Sequence, residues 1–220
     1  MNNILAIDTS FSICSIAVLK ENQIIAEQSS VELNMQAEMI ATLTEKTLLE
    51  ANQNLDGINA IVVTIGPGSF TGIRIGVAYA NGLYLVLKKR NPVLKFIGVT
   101  TMQAMAVQTA NNGEYVLMMD AGRKAVYIQK FAGLIPQNDI TLIAEEDINS
   151  YASNLPIYGN ANRLSDSVKS RLQEVIYPSA NSVGLYYNSI TQTSFANNII
   201  FEPVPIYIRE PDAKKSSAFS

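Results

Sequence analysis

The chain has 220 residues, 48% of them hydrophobic and 16% charged, so it can build one large domain or two small ones with real cores. Its formal net charge of −3 and its pI of about 5.1 argue against a surface that serves mainly as a nucleic-acid platform. The absence of histidine excludes serine–histidine and cysteine–histidine nucleophilic pairs, histidine-bound zinc and imidazole acid–base catalysis.

The first predicted element is a short apolar strand over residues 4–7, and nothing resembling a signal peptide precedes it. The chain has a single cysteine, Cys14, so an internal disulfide is excluded and a reducing, cytoplasmic setting is expected. Further strands at residues 14–19 and 23–27 complete a three-strand meander.

The first strand ends in Asp8, Thr9 and Ser10, and two interpretations of this turn stay open. These side chains either stabilise the hairpin through hydrogen bonds to the backbone, or they form a phosphate loop in which the carboxylate acts through magnesium. No glycine follows Asp8 in this turn, which argues against a close approach of phosphate to the backbone.

A helix with a broad apolar surface is predicted over residues 35–50, and a buried parallel strand begins at residue 61. That strand turns through Gly66, Pro67 and Gly68 into a second helix, which Ser69 caps and which continues to residue 87. A helix N-terminus that follows a strand and a glycine turn can bind an anion.

Two phosphate-binding motifs do not fit this glycine turn. A P-loop needs a lysine followed by serine or threonine after the last glycine, and here Gly72 is followed by Ile73 and Arg74. A dinucleotide fingerprint needs its third glycine one residue earlier and an acidic residue about twenty positions on, and no acidic residue lies between Asp56 and Glu114.

The second helix has no polar face, because Arg74 is its only charged residue. Small residues recur at every fourth position of the helix: Gly72, Gly76 and Ala80. This row, or ridge, of the helix surface has no large side chains, so another element can approach it closely. The helix is therefore either buried inside its own domain or packed against a second subunit. A membrane span is disfavoured by the polar and small residues that interrupt the apolar run.

A basic run, Lys88, Lys89 and Arg90, follows this helix, and Lys95 lies in the same stretch without acidic residues. Cations at the end of a helix commonly complement its dipole, and a nucleic-acid contact is the alternative interpretation.

The order of elements up to residue 99, where a fifth strand over residues 95–99 ends, is β-β-β-α-β-α-β. After a helix over residues 101–109, the pattern around Asp8 returns: a strand at residues 115–119, Asp120, a turn with Gly122 and a strand at residues 125–131. The repeat indicates two duplicated halves with a cleft between them.

The sequence after residue 133 carries weaker signals. It predicts a short acidic helix from residue 145, a strand at 155–158, helices at 162–171 and 182–194, an extended segment at 203–209 and a disordered tail at 210–220.

The string GPGSFTGIRIG at residues 66–76 resembles the signature of the TsaB (YeaZ) family, and residues 205–209 resemble the Pro-x-Tyr-Leu-Arg segment near the end of that family. The resemblance implies an α/β fold with the two-lobed ASKHA architecture of actin, Hsp70 and sugar kinases. Each lobe is then ribonuclease-H-like, the second reduced, with lobes at residues 1–99 and 100–209. Where many members have a His-Ser pair, this chain has Met35 and Gln36, so no role of that histidine can be transferred.

The resemblance also implies a function: a non-catalytic scaffold that activates a TsaD-like catalytic subunit by dimerising with it. The complex attaches threonylcarbamoyl to the adenosine next to the anticodon of tRNA. Within that complex the chain would associate with a TsaE-like ATPase and with tRNA. Alone, the chain would form a homodimer, and no membrane contact is expected. No catalytic residue and no metal site are expected, and ATP or ADP with magnesium is expected only in the assembled complex.

The residues that this family assignment singles out form three groups. The expected subunit interface comprises Met35, Met39, Leu43, Phe70, Gly72, Ile73, Gly76, Val77, Ala80 and Tyr84. The expected vestigial nucleotide site comprises Asp8, Thr9, Ser10, Asp120 and Gly122. The signature loop comprises Gly66, Pro67, Gly68 and Ser69.

Two other functional classes stay open at this point. The chain could be an active ATP-dependent phosphotransferase or ATPase of the same superfamily, using Asp8 and Asp120 with magnesium. It could instead bind tRNA directly through Lys88, Lys89, Arg90 and Lys95.

Overall fold

The structure, a computed structural model, describes residues 3–191, 200–201 and 203–208, so the predicted tail at 210–220 lies outside the described residues. The strands are β1 (Asn3–Asp8), β2 (Ser15–Lys20), β3 (Gln23–Ser29), β4 (Ala60–Thr64), β5 (Lys95–Val99), β6 (Glu114–Gly122), β7 (Ala125–Ala132), β8 (Ile135–Pro136), β9 (Thr141–Ala144), β10 (Ile157–Gly159), β11 (Leu172–Val175) and β12 (Ile200–Phe201). The α-helices are α1 (Gln36–Glu50), α2 (Phe70–Leu87), α3 (Thr101–Ala106), α4 (Ile148–Ala152), α5 (Asp166–Lys169) and α6 (Ala180–Thr191). Single 3-10 turns lie at Leu55–Gly57 and Glu145–Asp147.

The first sheet has the strand order β12-β5-β4-β1-β2-β3, with β1 antiparallel to β2 and parallel to β4. Both faces of its central strand are buried, because successive side chains of a strand point to opposite faces. Ile4 and Ala6 belong to one apolar cluster, and Leu5 and Ile7 belong to the cluster on the other face. This explains why the strand reads as a continuous apolar run rather than an alternating one.

The helices cover the first sheet on both faces. α1 and α2 pack side by side on the face that contains Leu5 and Ile7, and α6 packs on the face that contains Ile4 and Ala6. The short α3 contacts both α6 and the second sheet, and Thr100 and Gln103 cap its first turn reciprocally.

The second sheet repeats the start of the first. Its strand order is β11-β10-β6-β7-β8, with β9 also paired to β7; β6 is antiparallel to β7 and parallel to β10. One face packs on α3 through Met102 and Met105, and the other is covered by residues of α4 and α5 such as Ile148 and Val168. The predicted duplication, with a reduced second half, is therefore confirmed.

Several elements after residue 100 differ from their predictions. Strands β8, β9, β11 and β12 were not predicted, and the helix expected at residues 162–171 is reduced to α5. α6 and β12, which fall in the expected second lobe of residues 100–209, join the first sheet instead. Tyr186 and Tyr187 of α6 are fully buried there, and Gly184 allows contact so close that an added Cβ would lie 2.3 Å from the Leu19 side chain.

Helix α2 lies unusually close to the turn that follows β1. A Cβ added at Gly72 would lie 2.1 Å from the Thr9 carbonyl oxygen, and one added at Gly76 would lie 2.2 Å from Thr9 Oγ1. Ala80, the third member of the ridge, is fully buried. The ridge therefore packs within its own domain, which corrects the expectation that Gly72, Gly76 and Ala80 contact a second subunit.

We predict that Gly72→Ala destabilises the protein by about 2–3 kcal/mol, because the methyl group collides with main chain that cannot rotate away. Gly82→Ala in the same helix is the matched control: nothing lies within 4 Å of an added Cβ there, so alanine should stabilise by about 0.5–1 kcal/mol through helix propensity. Urea unfolding of both variants measures the two changes. Equal stability of Gly72→Ala and the wild type would contradict the close packing.

Candidate functional site

The turn after β1 faces the end of β6 across a cleft with a cavity volume of about 380 Å³. Residues 10–12 line it from the first half, residues 119–121 line it from the second, and Arg163 from the segment before α5 closes one side. The lining residues that recur below are Ser10, Phe11, Ser69, Asp120 and Arg163. The predicted position of a site between the two halves corresponds to this cleft.

Asp8 lies below the cleft rather than in its wall, with 2% of its surface exposed. Its Oδ1 accepts hydrogen bonds from the Ser10 amide (3.1 Å), the Ser10 hydroxyl (2.7 Å) and the Thr64 hydroxyl (2.8 Å). Thr64 ends the parallel strand β4 and also accepts a long bond from the Thr9 amide, at 3.4 Å. Burial raises the pKa of Asp8, and the three hydrogen bonds only partly offset that effect.

Asp120 occupies the equivalent position in the second half but has a different electrostatic environment. Its Oδ1 accepts from the Gly122 amide at 2.7 Å, and its Oδ2 accepts from the amide (2.7 Å) and the Nε (3.1 Å) of Arg163. The backbone amide of Asp120 donates to Oδ1 of Asn160. Asn160 directly follows the parallel strand β10, a position similar to that of Thr64 at the end of β4. Burial raises the pKa of Asp120, but the hydrogen bonds and the Arg163 charge together outweigh burial and leave the pKa lowered.

The signature loop is held between two other segments of the same chain. The Ser69 amide donates to the Ser10 carbonyl at 2.7 Å, and a Cβ added at Gly68 would lie 2.3 Å from that carbonyl oxygen. On the other side, the Ile206 amide donates to the Ile65 carbonyl at 2.8 Å, and a Cβ at Gly66 would lie 2.9 Å from the Ile206 carbonyl oxygen. The glycines thus allow three chain segments to approach closely.

The first turn does not fit a magnesium-bound nucleotide in this arrangement. The Thr9 and Ser10 amides, which would face a phosphate, already donate to Thr64 and Asp8, and Ser69 Oγ accepts from the Gly72 amide as the helix cap. Among the described residues, no group of three acidic or cysteine side chains is placed to hold a metal ion. Burial also raises the pKa of Cys14 to about 12, which disfavours a reactive thiolate.

None of the ten residues expected at a subunit interface is fully exposed. Met35, Met39, Phe70 and Tyr84 are half-buried, and the other six lie in the core. Val77 keeps 8% of its surface exposed, whereas the other five have no surface to offer a second subunit: Leu43, Gly72, Ile73, Gly76 and Ala80. The expectation fails for them because α2 presents its small residues to its own sheet and hairpin.

Sequence reasoning missed Thr64, Asn160 and Arg163, the partners of the two aspartates. Thr64 and Asn160 carried a usable signal, since each stands at or just after the carboxyl end of a parallel strand whose neighbour carries one of the aspartates near its own end. Arg163 lies in an irregular segment 43 residues after Asp120 and carried no local signal.

We predict opposite pH dependence for amide variants of the two aspartates. A raised pKa at Asp8 means that the stability it contributes is lost as the pH rises, so Asp8→Asn should gain in melting temperature relative to the wild type as the pH rises from about 4 towards neutral. A lowered pKa at Asp120 means that its contribution is lost as the pH falls, so Asp120→Asn should be destabilised near neutral pH and approach the wild type in acid. Thermal unfolding across this range checks both, and parallel curves for the two variants would contradict the assigned environments.

The sequence of the chain is similar to that of proteins linked to one tRNA modification. The model of the family described as TsaD, tRNA N6-adenosine threonylcarbamoyltransferase, matches residues 34–202. The tRNA threonylcarbamoyladenosine biosynthesis protein TsaB of Buchnera aphidicola subsp. Baizongia pistaciae is 27% identical over 228 positions, covering 96% of this chain and 99% of that protein. TsaB of Escherichia coli K12 is 36% identical over 103 positions, covering 47% of this chain and 42% of that protein.

The solved structure of YeaZ from Pseudomonas aeruginosa superposes with a TM-score of 0.74 at 20% identity, covering 94% of this chain and all of that chain. This likeness concerns the fold alone, and it confirms the predicted two-lobed ASKHA class. Because the family model matches more than half of the sequence and TsaB proteins align with it, the chain belongs to the TsaB (YeaZ) family, within the broader family that the TsaD model describes.

Proposed function

We propose that the chain is a non-catalytic scaffold subunit that pairs with a TsaD-like catalytic subunit and activates it. The complex would attach threonylcarbamoyl to the adenosine next to the anticodon of tRNA in the cytoplasm. A TsaE-like ATPase and the tRNA are met through this complex, and the chain alone forms a homodimer. ATP or ADP with magnesium is expected only in the assembled complex.

The surface of α2 is the observation that supports this proposal most directly. α2 has one charged side chain, yet only a third of the helix is buried in the protein. Its exposed residues other than Arg74 and Asn81 are apolar or small: Thr71, Ala78, Gly82, Leu85 and Val86. Among the described residues, α2 is also the one helix long and apolar enough to cross a membrane by length and composition. A protein partner fits better than lipid, because Arg74 and Asn81 are exposed on the same helix.

Helix α1 extends this surface. It lies beside α2 on the same face of the first sheet, so the outward sides of both helices are adjacent. Ala37, Ala41 and Leu49 are exposed on α1, Leu49 by 79%. Two helices presented in this way can pack against two helices of a partner, and a stable interface of this kind buries roughly 1,600 Å² in total.

The cleft supports a scaffold rather than an enzyme. Asp8 is pinned by three hydrogen bonds below the cleft surface, and Asp120 is paired with Arg163. The chain contains no histidine that could act as an acid, base or metal ligand. The catalytic chemistry is therefore assigned to the partner subunit, and this chain supplies the surface that binds and positions that subunit.

We predict that Val86→Glu weakens binding to the host's TsaD homologue by roughly 30-fold or more, because burying an unpaired carboxylate costs at least about 2 kcal/mol. Val175→Glu is the matched control: both valines are 58% exposed, but Val175 lies on β11 of the second sheet. Light scattering of the purified chains mixed one to one gives the mass of the complex, and titration calorimetry gives its affinity.

Three outcomes of this experiment are informative. A one-to-one complex that replaces the homodimer and is lost only in Val86→Glu supports the scaffold function. Equal binding of both variants refutes α2 as the contact surface. The absence of any wild-type complex refutes the scaffold function and redirects attention to ATP hydrolysis, with Asp8→Ala as the decisive variant.

A further inference from the structure

A groove with a cavity volume of about 640 Å³ runs along the flank of α2, between the helix and the extended segment at residues 203–208. Its floor is apolar, formed by Val77, Tyr84 and Phe96. Pro203 and Pro205 form the far wall, and the Ile206 amide fixes this segment to the Ile65 carbonyl at 2.8 Å. The groove adjoins the outward face of α2 and shares Ala78 and Leu85 with it.

Cationic side chains stand at the two ends of this groove. Arg74, Asn81 and Lys88 are seven residues apart and therefore share one face of α2. With a rise of 1.5 Å per residue, the two cations are about 21 Å apart along the helix. The Arg74 guanidinium lies 3.7 Å from the centre of the Phe70 ring and donates from Nε to the Tyr207 hydroxyl at 2.7 Å, so its position is fixed before any partner arrives.

The surroundings of the groove are depleted in negative charge. Among the described residues that line it, none is acidic. The sequence has no aspartate or glutamate between Asp56 and Glu114, a stretch that includes all of α2 and β5. The charged side chains among the described lining residues, Arg74 and Lys88, are both cationic, and they favour a partner with carboxylates.

We propose that this groove binds an acidic, amphipathic segment of the catalytic partner subunit, with apolar side chains on the floor and carboxylates at the Arg74 and Lys88 ends. The inference rests on the proposed function and extends it to a second contact. Ala78 and Leu85 line the groove and also border the outward face of α2, so one partner can cover both surfaces without a gap.

A protein segment fits this groove better than single-stranded RNA. RNA grooves offer open aromatic faces on which bases stack. Here the Tyr84 ring stacks on Phe96 at 5.0 Å and lies under the Lys88 ammonium at 4.9 Å, while Phe96 is only 5% exposed. An apolar floor whose rings are already stacked suits aliphatic side chains instead.

The test compares charge reversals by titration calorimetry of the chain with the host's TsaD homologue at low and at high salt. Arg74→Glu and Lys88→Glu should each weaken binding roughly tenfold or more at low salt, with a smaller loss at high salt. Lys89→Glu is the matched control, because it changes the net charge equally one residue away but does not line the groove, and it should change binding less than about twofold.

Since Arg74→Glu removes contacts with Phe70 and Tyr207, Asn81→Glu provides a second variant that leaves them intact and places a carboxylate midway along the groove. It should weaken binding as strongly, with an unchanged melting temperature. A wild-type complex whose affinity is the same in all these variants would overturn this inference and leave the proposed function standing. Loss of binding to fluorescently labelled tRNA by the isolated variants, with partner binding unchanged, would also overturn it in favour of an RNA groove. Absence of the wild-type complex would overturn both proposals.

Discussion

The contact on which the rest of the structure depends is the approach of α2 to the turn after β1. Gly72 and Gly76 bring the helix so near to Thr9 that even a methyl group does not fit. This contact holds the helix against the sheet and closes the turn that carries Asp8. It also decides which side of α2 faces outward, because the side that carries Gly72, Gly76 and Ala80 is turned inward. One packing constraint thus shapes both the cleft and the proposed partner surface.

The two halves of the fold show how a duplicated framework can diverge in its electrostatics. Asp8 ends β1 and Asp120 lies two residues before the end of the equivalent strand β6. Each is hydrogen-bonded to a polar residue at or just after the end of the neighbouring parallel strand. Asp8 receives its hydrogen bonds from neutral groups in a dry environment, whereas Asp120 is paired with Arg163, whose side chain is 71% exposed. In both halves the carboxylate is hydrogen-bonded by groups of the chain itself.

Much of the fold could be predicted because its signals are local. Apolar runs, a capping serine and the glycine turn place β1, β4 and α2 within a few residues of where they lie. The partner of the glycine ridge could not be predicted, since a small-residue ridge has the same spacing whether it faces a foreign helix or its own hairpin. Strands of two to four residues such as β8 and β11 are too short to show alternation. In the cleft, both aspartates were found, but Arg163 reaches Asp120 through an irregular segment that no periodicity reveals.

The return of α6 and β12 to the first sheet has a consequence for synthesis of the protein. During translation, residues 1–99 leave the ribosome first and contain five of the six strands of that sheet. The face formed by Ile4, Ala6 and Val62 nevertheless stays uncovered until Tyr186 and Tyr187 arrive almost ninety residues later. The first lobe therefore cannot complete its core as an independent unit, and the nascent chain carries a bare apolar sheet face on which chaperones can act.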